Sequence, residues 1–588
     1  MDQDIFEYIK SEETAYRTVR VPITTAKDWN MFEHVERCTN VANGWYHTGK
    51  NDGNRPYDDI VTPIVNVAIR SEGFDVKDIV PYVNIAKESY KSWMVKKIHP
   101  RWARDHGVDS FIDEVVESSI IYDLVLLKYI QNDLPEVVDL KTIAFCDQTN
   151  VMSAPICIRH YMTIEEILAQ RGKWDDSAID ACIYQAEKSK KISTANDQSV
   201  QTPIKYIEVY EVRGRLPKSW LSPDYDNRDY ENQMHIVSFY KDEHSQKQGI
   251  SLYKGKDKPM SKVFKALKID TVRSKGRACG RSIIETLFEP QVWNNYSAIK
   301  IKNLLDSAFN VILTDSMAIA NQDINSVKSN TILKQDKGDS TQRLTSDISH
   351  ITQFQNYQVK QENSARNLGS ASELALGNSP TSGTPLGTTE IVHTEGQGIH
   401  EYRQGKIATF IGDVVYPWAI LPIMMEDLSK GMKFTDILSL DELTELSDMI
   451  TDNIVDAEII NNVIKSGRVP TRDEKEQIKN TFKDLFMKGN RKFFEILKDE
   501  LKDVPMDVLI NIKGKQRYMA QNADKITNIL REVIRNPQAF SSSPGIAKAF
   551  NQLLEESGMS AIDFREITQL PPKASQPVAV PEVAGAQL

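Results

Sequence analysis

Apolar positions at helical spacing run from Phe111 through Val115, Ile120, Ile121, Leu124 and Leu127, and predict an amphipathic helix over 111–130. Upstream, a polar turn at 55–59 leads into Ile60, Val61, Ile64, Val65, Val67 and Ile69, which fit a strand or a helix; a turn at Ser71 to Gly73 stops it. Thr142 to Phe145 reads as a short strand. Thr163-Ile-Glu-Glu166 is a capping-box pattern, in which the threonine oxygen and the glutamate satisfy orphan N–H groups at a helix start. Helical patterning continues through Leu168, breaks around Gly172 and resumes from Ala178 to about Glu187. Between 201 and 255 the period changes to two. Ile204, Tyr206/Ile207, Val209 and Val212 alternate before turns at Gly214 and Pro217, and HIVSFYKD (235–242) and GISLYKG (249–255) follow the same style. These predict short antiparallel strands in a small β-rich insert.

SKGRACGRSIIE (274–285) is a glycine-punctuated loop entering a helix. From there Ile284, Phe288, Trp293, Tyr296, Ile301, Leu304, Leu305, Phe309 and Ile312 keep helical spacing, and a continuous helix over 294–313 would be about 30 Å long. Residues 363–399 are rich in Ser, Thr, Gly and Pro and are expected to form a long mobile loop. Helical pattern returns from about Tyr402, with capping boxes at Ser439 and Thr471. MDVLINIKG (506–514) reads as a strand, and two helices follow, one through Ala523, Ile526, Leu530 and Val533 and one from Ser543-Pro544. A Pro/Ala/Val-rich tail is expected to be disordered, and no internal repeat is visible.

The length of 588 residues suggests about four structural units. A hydrophobic share of 40% with 26% charged residues excludes global disorder. The net charge is −10, which argues against gripping nucleic acid over the whole surface and leaves room for a local basic patch. Five scattered cysteines, none spaced CxxC, argue against a disulfide framework or zinc site and for a reducing compartment. The acidic N-terminus shows no signal peptide. The most apolar run, Val414 to Met425, is too short to span a bilayer and holds Pro417 and Pro422, so a soluble protein is expected.

Catalytic signatures reduce to near misses. Gly249 to Asp257 has one residue too many for a P-loop, and Asp where magnesium needs Ser or Thr. No GxSxG, HExxH or GxGxxG occurs. His34 and Cys38 form a two-ligand face without a third ligand, and Asp224 to Asp229 lacks the glycine and distal Glu of a calcium loop. Glu165-Glu166 and Asp175-Asp176 read as helix-start charges. No catalytic residue, cofactor or metal site is therefore expected. Lys275, Arg277, Arg281, Lys300 and Lys302 interleave with apolar residues, which fits either a solvated helix face or a face turned toward a polyanion.

In its order of parts the chain resembles the portal proteins of tailed bacteriophages, the rings at one capsid vertex through which DNA is packaged and released. The likeness rests on DDIVTPIVNVAIRSEGF (58–74), on GRACGRSIIETLFEPQVWNN (276–295) with Glu285, Gln291 and Asn294/Asn295, and on LGNSPTSGTPLGTTEI (376–391) followed by helices and DVLINIKGKQRYMAQNADKI. It implies an α+β, mainly helical fold. The implied parts are an N-terminal wing part (1–160), a first stem helix region (161–200), a β-rich clip (201–272) and a second stem helix (273–315). A wing continuation (316–440) with a tunnel loop at 363–399, a C-terminal helical wing and crown (441–570) and a disordered tail (571–588) complete them. The resemblance implies a non-enzymatic homo-dodecamer in the virion, assembled in the host cytoplasm. Its implied partners are the terminase large subunit, the major capsid and scaffolding proteins, neck or tail adaptors, and double-stranded DNA passing without tight binding; no membrane is involved. Arg281, Lys300, Lys302, Arg366 and Asn367 are then candidate DNA-channel residues. Trp293, Ile301, Leu304, Leu305 and Phe309 are candidate ring-packing residues. The competing readings are another neck or tail ring protein and an unrecognised nucleic-acid enzyme.

Overall fold

A computed structural model describes residues 2–24, 27–44, 57–83, 89–193, 206–222, 226, 228–241, 247–272, 274–306, 311–314, 341–344, 349–371, 376, 398–429, 459, 471–488 and 506–510. The fold is mixed α+β with several antiparallel sheets.

The period-two segments form most of a five-stranded sheet, ordered β10-β9-β8-β7-β6. β8 (Ile207–Pro217), β9 (Tyr230–Lys241) and β10 (Lys247–Lys256) are the expected antiparallel strands, longer than the sequence suggested and paired in chain order. The sheet also recruits β6 (Ile143–Phe145) and β7 (Ile156–Met162), the latter pairing with β8 from Ile156↔Arg213 to Met162↔Ile207. Gly214 does not turn the chain as its sequence suggested. It lies inside β8 at φ +154°, pressed on Pro155, where a Cβ would approach the proline Cα to 2.6 Å. One face is covered by α6 (Ile164–Leu168) and α7 (Asp176–Ser193), whose Ile167, Ile179 and Cys182 pack on Ile207, Val209, Ile236 and Leu252. The Thr163 capping box forms as read: Glu166 N–H donates to the threonine oxygen and Thr163 N–H to the Glu166 carboxylate. The opposite face receives α1 (Asp2–Thr18), with Phe6 edge-on to Phe239 and Tyr8 edge-on to Phe145.

The second core is built on helices. The 60–69 apolar run resolves as a helix, α3 (Val61–Glu72), beside α2 (Met31–Ala42) and α5 (Val108–Tyr122). The helix expected over 111–130 stops earlier. Asp123 takes a left-handed conformation (φ +51°) that ends α5, and Leu124 leads into β4 (Val125–Lys128), fully buried between β11 (Phe264–Leu267) and β5 (Glu136–Val137). α9 (Ile283–Asp306) has 24 residues and is about 36 Å long. It does not continue to Leu313 as the spacing suggested. Val311–Thr314, with three β-branched residues among Val311, Ile312 and Thr314, forms β12, paired with β13 (Thr341–Leu344). Phe309 lies outside the described residues.

α10 (Ser349–Leu368) packs along α9 and takes in 363–368, the start of the expected loop. Gly369 and left-handed Ser370 (φ +52°) end it; of the remaining loop only Leu376 and the helical Gly398 and Ile399 are described. A continuous helical rod then runs over Gly398–Ser429: α11 (Gly398–Phe410), a π-helical stretch (Ile411–Ile420) and α12 (Leu421–Ser429). The Val414 to Met425 run is therefore part of a longer element. By length and composition the rod could cross a membrane, which the short run alone did not suggest, but 67% of its apolar window is buried inside this chain. The wider π winding carries the helix through Pro417, whose ring would otherwise strike the preceding turn. The rod packs on α4 (Ser89–Asp105), with His99 Nε2 at 2.9 Å from the Tyr416 hydroxyl and Trp102 Nε1 donating to Asp427. It also meets β14 (Met506–Ile510), which pairs antiparallel with β3 (Ile79–Val83). The Thr471 box caps a helix over Arg472–Lys488, its N–H donating to Glu474 at 2.8 Å. The Ser439 box, the two C-terminal helices and the tail lie outside the described residues.

Candidate functional site

The loop into α9 is fixed before the helix begins. Ser282 Oγ accepts from Glu285 N–H, and Arg277 forks onto the Glu285 carboxylate with bonds of 2.9 and 2.7 Å. Burial alone would raise the Glu285 carboxyl, but the Arg277 bonds outweigh it and hold it below the ordinary carboxylate range. Gly280 has no alternative at its position: a Cβ would come 1.5 Å from Asp123 Oδ2. Further along, a polar row at i, i+3 and i+4 clamps the segment before α3. Gln291 accepts from Ile60 N–H and donates to the Asp58 carbonyl, Asn294 donates to the Asp58 carboxylate, and Asn295 accepts from Asp58 N–H. All three amides are buried, so each has an obligatory partner. Glu285, Gln291, Asn294 and Asn295, which carry much of the resemblance, are thus positioning residues.

α9 also leaves apolar side chains in solvent: Trp293, Tyr296 and Leu305 are 43%, 47% and 57% exposed, and Val359 and Leu368 on α10 are exposed as well. Trp293 stands edge-on to both Tyr296 and Tyr357, and Lys300 Nζ lies 5.3 Å over the Tyr296 ring. Ile301, Leu304 and Lys302 are half-buried, and Arg281 is exposed just ahead of the helix. α9 therefore brings Trp293, Lys300, Ile301, Lys302, Leu304 and Leu305 onto one element. Arg366 and Asn367 sit on the last turn of α10 instead of a loop, with Arg366 paired to Glu362.

The sequence did not reveal a buried charge cluster that ties the ends of the 369–398 segment to this frame. His400 Nδ1 lies 2.9 Å from Glu72, and its Nε2 is 3.1 Å from the Gly369 carbonyl. Arg403 donates to both Glu72 oxygens (2.9 and 3.0 Å), to Asp123 (2.9 Å) and to the Ser119 carbonyl (2.8 Å). Burial pushes the Asp123 carboxyl up to about 6 against the pull of Arg403. No local spacing pairs position 72 with 403; the only sequence signal was charge inside otherwise apolar helices. A second buried network joins the two larger sheets. Glu211 accepts from Lys128 of β4 and Arg213, and lies 2.8 Å from His160; burial would raise its carboxyl, but these partners hold it far below the usual range.

His34 and Cys38 do share a face of α2, with Sγ 3.7 Å from Nε2, and Ser282 is their third neighbour. Burial pushes the Cys38 thiol up to about 12, so it stays protonated and is a poor nucleophile or ligand at neutral pH. Among the described residues no group of three His, Cys, Asp or Glu side chains is placed to hold a metal ion. Compared with protein-family models and with curated proteins, the chain gives no match.

Proposed function

We propose that this chain is the subunit of a tailed-phage portal: a closed ring that passes double-stranded DNA and docks the packaging motor, then the neck or tail. The observation that carries the reading is α9 itself. Gln291, Asn294 and Asn295 clamp one side, Trp293 and Tyr296 stand partly exposed on another, and Leu305 is exposed beyond the clamped stretch. A rigid helix with partly exposed aromatic side chains suits a heterologous ring contact, because each copy must offer one face and accept another. The charge supports the same reading. Each subunit carries −10, so a ring of them repels the duplex and lets it slide, whereas every neutralised phosphate would add counterion-release affinity and act as a brake. The lysines on α9 supply local centring. ATP hydrolysis then belongs to the separate motor, and the chain's work is geometric.

Negative-stain images of the purified protein test this. Rings with a central hole wide enough for a DNA duplex are expected. A uniform population of single particles without holes would refute it.

A further inference from the structure

A cleft of about 410 Å³ opens where the last turns of α2, the middle of α3, the C-terminal half of α5 and the 137–141 segment meet. That volume is within the range of small-molecule sites. Its apolar lining is aliphatic: Ala42, Val65, Ile69, Ile121 and Val137, all half-buried. Among the described residues that line it, Tyr122 brings the only aromatic ring, so the cleft offers a hydrocarbon chain a bed and a flat ring system no platform.

The buried hydroxyls that line it have their protons committed. Thr39 Oγ1 donates to the Val35 carbonyl at 2.8 Å, so the Tyr122 hydroxyl, 2.8 Å from Thr39, is the donor in that second bond. Burial pushes the Tyr122 phenol well up, which keeps the proton in place. Ser118 Oγ donates to the Leu124 carbonyl at 3.0 Å. Tyr122 and Ser118, both buried, therefore leave lone pairs and no proton for a ligand. Glu114 and Glu117, exposed one turn apart on α5, line the same cleft and form no hydrogen bond or ion pair among the described residues. Lys141, the one cation in the lining among those residues, is engaged by Asp139 at 3.2 Å. The two glutamates alone would be an ordinary solvated face. Beside buried oxygens that can only accept, they complete a lining that asks for N–H donors and positive charge.

We infer that this cleft binds a free aliphatic diamine or polyamine, its hydrocarbon chain along Ala42, Val65 and Ile121 and its ammonium groups toward Glu114, Glu117, Ser118 and Tyr122. An ammonium carries three donors and no acceptor, which matches the lining atom for atom in type. A carboxylate or phosphate would meet Glu114 and Glu117 as like charge. The inference does not rest on ring formation, because the cleft lies within one chain.

Isothermal titration calorimetry of the full chain with cadaverine, at fixed ionic strength, tests it. Saturable binding of one cadaverine per chain is expected. Glu114→Gln/Glu117→Gln, at two exposed positions, should weaken it about tenfold, roughly threefold for each lost charge pair. Ala42→Leu fills the cleft and keeps every carboxylate, and should abolish binding, whereas Glu165→Gln on α6 should leave it unchanged. Pentanediol, of the same length without the charge, should not bind. Equal affinity for wild type and Ala42→Leu would overturn the inference, because cadaverine would then be held only by the general negative charge of the chain. Absence of saturable cadaverine binding would overturn it too, even where a lysine-containing peptide binds, since that would assign the cleft to a side chain of another protein. Rings or their absence in negative stain bear on the portal reading alone.

Discussion

Arg403→Met removes the cation that serves two buried carboxylates, Glu72 and Asp123, both essentially without solvent. Glu72 keeps His400 at 2.9 Å, so Asp123 bears most of the loss. Without Arg403, Asp123 must either remain charged in a dry site or take up a proton. The intact protein already holds this carboxyl up at about 6, so protonating it at pH 7 costs about 1.4 kcal/mol beyond wild type at 1.36 kcal/mol per unit. Loss of the Arg403 bonds to Glu72, Asp123 and the Ser119 carbonyl adds to this, toward the roughly 3–5 kcal/mol seen when one partner of a buried pair is deleted. At pH 5 Asp123 is mostly protonated in wild type as well, so the protonation part of the deficit should vanish while the rest remains. Urea unfolding followed by tryptophan fluorescence, compared at equal slope, reads both values. Arg403→Met/Asp123→Asn should recover about 1.4 kcal/mol of the loss at pH 7, because Asp123 then leaves no uncompensated charge. A single variant within about 1 kcal/mol of wild type, or a deficit unchanged at pH 5, would refute the reasoning.

In the intact protein Asp123 itself sets a pH dependence. Its folded value of about 6 lies above the unfolded 3.8, so the native state holds the proton more tightly and this group's contribution falls as pH rises from about 4 to 6. The difference between wild type and Asp123→Asn should change by on the order of 3 kcal/mol across that window, and a flat difference in urea titrations would contradict it. Gly280→Ala drives a methyl into the Asp123 carboxylate and should destabilise by about 1–3 kcal/mol, measured by the same titration. Leu305→Asp, at a position 57% exposed, should change subunit stability by no more than about 0.5 kcal/mol yet abolish rings in negative stain; intact rings would remove the Leu305 end of α9 from the interface.

Local chemistry was readable in the sequence where a motif closes on itself. The Thr163 and Thr471 caps need only residues three apart, and the alternation in 207–256 needs only its own neighbours. Errors arose where a distant residue decides. The 111–130 pattern reads as one helix because Leu124 and Leu127 keep the spacing, but the left-handed turn at Asp123 is held by Arg403 and by Gly280, whose N–H donates to the Asp123 carbonyl. β7 escaped notice because both its faces are covered at its buried end, so Ile156, Cys157 and Ile158 are all buried and the alternation is lost. The apolar run from Val414 to Met425 read as too short to span a bilayer because its length was taken alone, with prolines that end an ordinary α-helix, whereas here the π winding carries the rod through Pro417. On α9 the polar row Gln291, Asn294 and Asn295 was noted only for its resemblance; that it binds residues 58–60 follows from a chain separation no local pattern spans.

The central claim is closure into a ring, and mass decides it most directly. In sedimentation velocity at micromolar concentration, the account predicts a discrete species near twelve copies of the 66.8 kDa chain, about 0.8 MDa, with no open-ended ladder above it. A single boundary at the mass of one chain would contradict it.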